Sequence, residues 1–501
     1  MAGESSPRAV IIGSGMAGLT SAILLQRQGY HVTVLEQHYR PGGMLHRFHR
    51  PKAKFDTGFH YCGGIDKGQA LGQCLRHLGV FDDLEFHPLD PNGFDRLRFP
   101  DLEFRVPRSW QAYQQRLVET FPHEADGIDA LLKAMRAAAD LYGLYRMRPG
   151  LDLAALMEVE STSLDVMMNR YVSDRRLKGV LSAQGVLYGT APAEAPFGVH
   201  SLVLDHFLDG AWTLAGGGDA LARALTRKIR ENGGAVHLRA EVTGIEVADR
   251  NACAVHTADE QRYAADWVFS NLHPRLTLEL LPQKSVRKAY RTRVSDHQVG
   301  HSHMGVYLTV DGPVSEIGAA NIYRYESYDT SALGGHMQPG SVPFYFATAP
   351  TEHSPQRRPG PSSVLMVLPM SWEQVAPWAH TKFGERPQAY LDFKAAHVQM
   401  ATDALLADFP SLRGRILSVE GSTPLSTQHF TRSPSGAVYG HRHTLHQMGR
   451  NRPMSFIRVR NLALVGQGVG LPGVLGVTLS AYYAIGRIFG ASELVRELRS
   501  A

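Results

Sequence analysis

Residues 8–36, RAVIIGSGMAGLTSAILLQRQGYHVTVLE, constrain the fold more than any other stretch of the chain. An apolar run leads into a glycine turn, a helical run follows, Gly29 stops it, and a second apolar run ends in Glu36. That order is a strand–helix–strand unit, and such crossovers lay their two strands parallel in one sheet. Gly13 permits the tight turn, and Gly15 lets the backbone at Met16 and Ala17 approach a pyrophosphate at the helix N-terminus. Gly18 lets helix and strand pack closely. Glu36, about 20 residues beyond the glycine turn, is placed to accept hydrogen bonds from a ribose diol. A carboxylate there suits an unphosphorylated ribose, which disfavours NADP and leaves FAD and NAD.

The next segment chooses between them. Gln37, Arg40, Gly42, Gly43 and Met44 follow within EQHYRPGGM, and the glycine pair offers a second place where backbone can lie against a long ligand. NAD needs no such contact there, so FAD is the expected cofactor. A second glycine string, Gly468-Val-Gly470-Leu-Pro-Gly473, follows the apolar LALV and precedes another apolar helix. A separate nucleotide site would need a further strand with its own ribose-binding acid, and the chain ends too soon after that helix to supply one. Gly466, Gln467, Gly473 and Val474 are therefore expected at a helix N-terminus aimed at the other end of the same FAD.

Bulk properties narrow the partners. A chain of 501 residues exceeds one domain of ordinary size. The balance of 52 Lys and Arg against 47 Asp and Glu gives little support to a nucleic-acid partner. Cys62, Cys74 and Cys253 show neither CxxC nor metal-ligand spacing, which fits a reducing cytoplasm better than a disulfide framework. The polar opening MAGESSPR precedes a run that continues into the glycine turn, unlike a secretory leader. No charge falls between Arg460 and Arg487, a length that would cross a bilayer, but glycines and Pro472 break it into strand, loop and helix start. His46 with His49, and His441, His443 and His446, crowd together without acidic or cysteine partners nearby, so no metal site is expected. In KSVRKAYRTRV, residues 284–294, Lys284, Arg287, Lys288 and Arg291 would share one helical face. Such a face suits peripheral contact with an anionic membrane, or reads simply as solvated surface.

Segments along nearly the whole chain resemble the FAD-dependent carotenoid desaturase, carotenoid isomerase and retinol saturase superfamily. They include VTVLEQHYRPGGMLHRF, FDTGFHYCGG, VHSLVLDHFLDGAWTLAGGGDALARAL, TPLSTQHFTRSPSGAVYG and NLALVGQGVGLPGVLG. The narrower FDTGxHY and SPxGAxYG stretches direct the likeness toward retinol saturases and carotenoid cis–trans isomerases. The resemblance implies an α/β fold in which a glutathione-reductase-like FAD-binding Rossmann lobe is built from discontinuous segments, 1–75, 205–274 and 416–501. An α+β substrate lobe would take 76–204 and 275–415. Val242, within Glu241-VTGIEV, would lie in a small sheet beneath the adenine, together with Ala264-ADWVFSN. The residues tolerate this division: the stretch from Gly217 to Gly233 reads as a helix with Leu221, Leu225 and Ile229 on one face, and 350–363 reads as a surface loop. A fixed endoplasmic location is not carried over from the animal enzymes, because the leading hydrophobic segment of those enzymes has no counterpart ahead of the first strand.

The resemblance implies a hydrophobic polyene or isoprenoid substrate and saturation, cis–trans isomerisation or desaturation of its double bonds. Oligomeric state is not read from the sequence. In related flavoproteins the chain after the second strand passes along the pyrophosphate and returns beside the isoalloxazine, so His60 and Tyr61 are candidates to face substrate. His60 reads equally as a packed histidine bonded to backbone. Tyr439, inside SGAVYG, is the third catalytic candidate, since its phenol can donate a proton while its ring packs on an apolar ligand, although plain core packing would also explain it. Two rivals share much of this pattern: a flavin amine oxidase, and a non-catalytic prenyl-lipid carrier.

Overall fold

The computed structural model of the protein describes residues 6–149, 152–331, 337–354 and 359–501. Residues 1–5 of the opening segment and 355–358 of the expected surface loop lie outside them. A five-stranded parallel sheet runs in the order Ala235–Leu238, His31–Glu36, Arg8–Ile12, Trp267–Ser270, Leu462–Leu464. Alternation along its strands makes two cores, because successive side chains leave opposite faces. Ala9, Ile11, Val32 and Val34 meet the helices Met16–Arg27, Gly217–Glu231 and Gly473–Phe489. Val10, Ile12 and Leu35 instead meet a three-stranded antiparallel sheet, Val242–Ala248, Asn251–Thr257 and Arg262–Ala264. Leu221, Leu225 and Ile229 are all buried on the expected face of their helix, and each such side chain contributes roughly 1.5–3 kcal/mol.

A second, seven-stranded sheet lies in the order Ile416–Ser422, His303–Val310, Ser362–Pro369, Phe344–Thr348, Asn321–Tyr325, Asp95–Phe99, Leu102–Val106. Its pairings are antiparallel except that of Asn321–Tyr325 with Asp95–Phe99. One face, with Met304, Val306, Ile322, Tyr345 and Met366, packs against the helix Gln388–Asp408. The period of two therefore turns His303, Tyr323, Phe346 and Val367 to the other face. There Tyr323 and Phe346 join a core shared with the helices Trp110–Thr120, Ala125–Asp140 and Phe197–Leu208.

Four sequence expectations are corrected. The boundary at 416 cuts ahead of Ile416–Ser422, which pairs with His303–Val310 at the edge of the seven-stranded sheet. Within Ala264-ADWVFSN, the strand Trp267–Ser270 belongs to the parallel sheet, not to the small one, because its both-sides-apolar character suits a central position. Residues 284–294 are not one helix: a short 3-10 turn, Gln283–Ser285, and extended Val286 precede the helix Lys288–Asp296. Arg291 leaves the basic face to donate from Nη1 to the Leu278 carbonyl in the last turn of the helix Pro274–Glu279, and from Nη2 to the carbonyls of Leu281 at 3.1 Å and Pro282 at 2.9 Å just beyond it. The expected loop 350–363 begins with a 3-10 turn, Pro350–Glu352, and its last two residues, Ser362 and Ser363, open a buried strand. Among the described residues, no helix is long and apolar enough to cross a membrane.

Candidate functional site

A cavity of about 570 Å³ runs from the carboxyl ends of the parallel strands to the seven-stranded sheet. This is the volume range of cofactor and small-ligand sites, and such crevices form where the strand order of an α/β sheet reverses. Gly13, Gly15, Met16 and Ala17 line it at the start of the first helix, and Glu36, Gln37 and Val242 line it beside the second strand and the small sheet. Gly42, Gly43 and Met44 add a clamp, and Gln467, Gly473 and Val474 bring in the N-terminus of the helix Gly473–Phe489. The first N–H groups of both helices have no partner within their helices, so each end attracts negative charge.

Backbone and side chains together hold the clamp. Gly42 donates its N–H to Ser14 O at 3.0 Å, and Gly15 and Gly42 form a parallel bridge. Gly42 N also donates to Ser14 Oγ at 3.1 Å, and Thr57 Oγ1 donates to the Met44 carbonyl at 3.1 Å. A Cβ on Gly43 would stand 3.3 Å from the Gly15 Cα, and one on Gly15 would stand 2.5 Å from Nδ2 of Asn271. Side chains at these positions would wedge open the three segments that meet here. Asp56 secures the returning chain: its Oδ1 accepts from Gly218 N at 3.1 Å, and Arg47 Nε lies 3.2 Å from Oδ2. Thr57 Oγ1 donates to the His46 carbonyl at 2.8 Å.

Glu36 is buried, with Oε2 accepting from Ser14 N at 2.8 Å and Ser14 Oγ at 2.6 Å, and Oε1 from His38 N at 2.8 Å. Three bonds on a group with about four acceptor positions fix the carboxylate and leave capacity for a ribose hydroxyl. Three expected cofactor residues stand off the wall. Gly18 serves packing, since a Cβ there would overlap the Gly13 carbonyl. Gly466 donates to Ser480 Oγ at 2.8 Å beneath the loop, and Arg40 Nη1 donates to the Arg47 carbonyl at 3.3 Å. Asn271, which lines the cavity between Gly15 and Gly466, was not anticipated. Its signal is the polar residue that ends the apolar VFSN strand.

His60, Tyr61 and Tyr439 all line the same cavity, joined by His303, Tyr323 and Phe346 from the seven-stranded sheet. Their side chains converge without any Lys, Arg, Asp or Glu among them. The His60 ring packs on Phe346 with centroids 5.5 Å apart, and its Nδ1 has no hydrogen-bond partner among the described residues. Burial pushes His60 down to about 3 and His303 down to about 4, so both imidazoles are neutral near pH 7. Burial pushes Tyr439 up to about 12, and the Tyr61 hydroxyl is raised well above its ordinary value by burial and by neighbouring Asp95. Sequence reading missed the partners from the sheet because alternation in NIYRY and FYFAT defines two faces without saying which one borders a cavity.

The other histidine groups separate. His46 is tied through Nδ1 to the Gly43 carbonyl and His49 is exposed; His441 and His443 are buried, while His446 faces solvent. Among the described residues, no group of three or more His, Cys, Asp and Glu is arranged to hold a metal ion. The three cysteines are free.

The site's chemistry fits FAD: two helix N-termini for negative charge, an oriented carboxylate for a ribose, and backbone-lined turns where phosphates can approach. The all-trans-retinol 13,14-reductase of Danio rerio is 28% identical over 515 residues, covering 94% of this chain and 84% of that protein. The chloroplastic prolycopene isomerase 2 of an Oncidium hybrid cultivar is 26% identical over 469 residues, covering 86% and 75%. A solved oxidoreductase from Methanosarcina mazei has a TM-score of 0.65 at 19% identity, covering 95% of this chain and 99% of that one, a likeness of fold. The description flavin containing amine oxidoreductase matches residues 16–368, well over half of the chain. An enzyme built around FAD, the chain belongs to the flavin containing amine oxidoreductase family.

Proposed function

We propose that this enzyme acts on a carbon–carbon double bond of a hydrophobic polyene or isoprenoid, by saturation or cis–trans isomerisation. The observation that carries the proposal is the wall made by His60, Tyr61, His303, Tyr323, Phe346 and Val367: it is aromatic or aliphatic, and its imidazoles are neutral. Such a surface favours an uncharged, extended ligand and offers no ionic grip to an anion. Relatives named for reducing all-trans-retinol and isomerising prolycopene agree with it.

When bound, FAD supplies or accepts a hydride. The chain's own residues would do the rest. The N–H groups at Met16, Ala17 and Gly473 would hold phosphate and flavin charge, and Glu36 a ribose hydroxyl. The apolar wall orients the double bond and excludes water. Tyr439 keeps its hydroxyl proton at neutral pH and can offer it as a hydrogen bond toward the ligand, while neutral His60 can accept one at Nδ1. In this reading residues 1–75, 205–274 and the chain beyond Ser422 hold the cofactor, and 76–204 with 275–422 hold the substrate. Substrate would arrive from an anionic membrane surface met by Lys284, Arg287, Lys288 and Arg293, all exposed.

A panel of polyenes and primary amines tests the reading. Conversion of a polyene, with no oxidation of any amine, is expected; amine oxidation with every polyene untouched would refute it.

A further inference from the structure

Behind the aromatic wall lies a polar cluster that binding of an apolar substrate does not require. Asp95 is completely buried. Its Oδ1 accepts from Asn321 Nδ2 at 2.9 Å, and its Oδ2 from Gln184 Nε2 at 2.7 Å and from the Tyr61 hydroxyl at 3.1 Å. The Tyr61 hydroxyl is 2.6 Å from that of Tyr323, and both rings line the cavity. The groups bonding this carboxyl are all uncharged, and burying a carboxylate without a cation is costly. Packing alone would be served as well by an apolar residue. Asn321 and Gln184 fix the carboxyl, and Tyr61 links it to the cavity: Tyr61 keeps 9% of its surface accessible, whereas Tyr323 is fully buried and bonds the Tyr61 hydroxyl.

We propose that Asp95 and Tyr61, whose hydroxyl Tyr323 holds in place, form a proton relay that supplies, or in the reverse direction removes, the proton accompanying hydride transfer at the double bond. This rests on the double-bond chemistry proposed above. In saturation, for which bound reduced flavin would supply the hydride to one carbon and so become oxidised, the electron pair of the broken π bond takes the Tyr61 hydroxyl proton at the adjacent carbon. Tyr61 recovers a proton from Asp95, which ends ionised. The substrate has then gained two hydrogens, and Asp95 regains its proton from water through Tyr61 once product leaves. Burial pushes the Asp95 carboxyl up to about 6, so it holds a proton in mildly acidic solution and releases it near neutrality. The titratable groups around it are Tyr61, Tyr323 and Tyr325, all neutral across that range.

Two measurements on the holoenzyme test the relay. Infrared difference spectra between pH 5 and pH 8, without substrate, should contain a protonated carboxyl band that is absent from Asp95→Asn and shifted in Tyr323→Phe; identical spectra for wild type and Asp95→Asn overturn the relay. Tyr61→Phe with full flavin content should slow reoxidation of the reduced enzyme by a polyene about a hundredfold. Its KM should be unchanged and its solvent deuterium isotope effect altered. Normal turnover with the wild-type isotope effect overturns the relay alone, whereas a wild type inert on every polyene overturns the double-bond reading.

Discussion

Gly15 stands where three segments meet, touching Gly43 across the clamp and Asn271 from the fourth parallel strand. A branched side chain there would collide with both and fill the cavity that a pyrophosphate needs. Gly15→Val should therefore purify colourless; flavin absorbance per chain equal to wild type would show that the cradle lies elsewhere. Asp95 offers a second residue-level test. Its carboxyl is raised to about 6 by burial, so the folded protein holds this proton more tightly than the unfolded chain. The resulting stability is complete below the unfolded value and is lost as the pH rises through the folded one. Measured against Asp95→Asn, in which Asp56 titrates as in wild type, the wild-type unfolding free energy should fall by about 2 kcal/mol between about pH 4 and about pH 7. Denaturant titration at the two pH values reads the difference, and a pH-independent difference would mean that Asp95 is ionised throughout. Glycine and Glu36 positions were legible because their roles depend on local backbone and spacing. Asp95 and Tyr323 were not, since they meet Tyr61 from strands far apart in the chain.

At the scale of elements, sequence reading did well where a segment carries its own start and stop. The first strand–helix–strand unit and the helix Gly217–Glu231 have both. It failed at Lys284–Val294, where the charge spacing is helical but Arg291 turns inward onto the carbonyls of Leu281 and Pro282. That correction changes the membrane test. Liposome binding should require anionic lipid, weaken with salt and drop in a Lys284→Gln, Arg287→Gln, Lys288→Gln variant, each charge contributing about 1 kcal/mol. Equal binding to neutral vesicles would reject the contact. The string from Gly466 to Gly476 leads into the helix Gly473–Phe489 and lines the same cavity through Gln467, Gly468 and Gly473. Extracted cofactor should accordingly amount to one FAD per chain, and a retained nicotinamide nucleotide would mean a second site.

Across the whole molecule, the parallel sheet could be foreseen because βαβ order dictates it, whereas the seven-stranded sheet gathers strands from Asp95 to Ser422 in an order that alternation cannot specify. That sheet supplies His303, Tyr323, Phe346 and Val367, so four of the six residues of the substrate wall were invisible in the chain. The two halves together predict one enzyme with a dinucleotide at one end and an uncharged, extended ligand at the other. Anaerobic single turnover decides whether this is so: holoprotein reduced by one equivalent is mixed with all-trans and cis polyenes, flavin absorbance is followed, and products are weighed by mass spectrometry. Flavin reoxidation with a product heavier by two hydrogens, or an isomer of unchanged mass and altered retention, is the expected result. Polyenes recovered unchanged, beside an amine oxidised by the same protein when its flavin is oxidised, would contradict it.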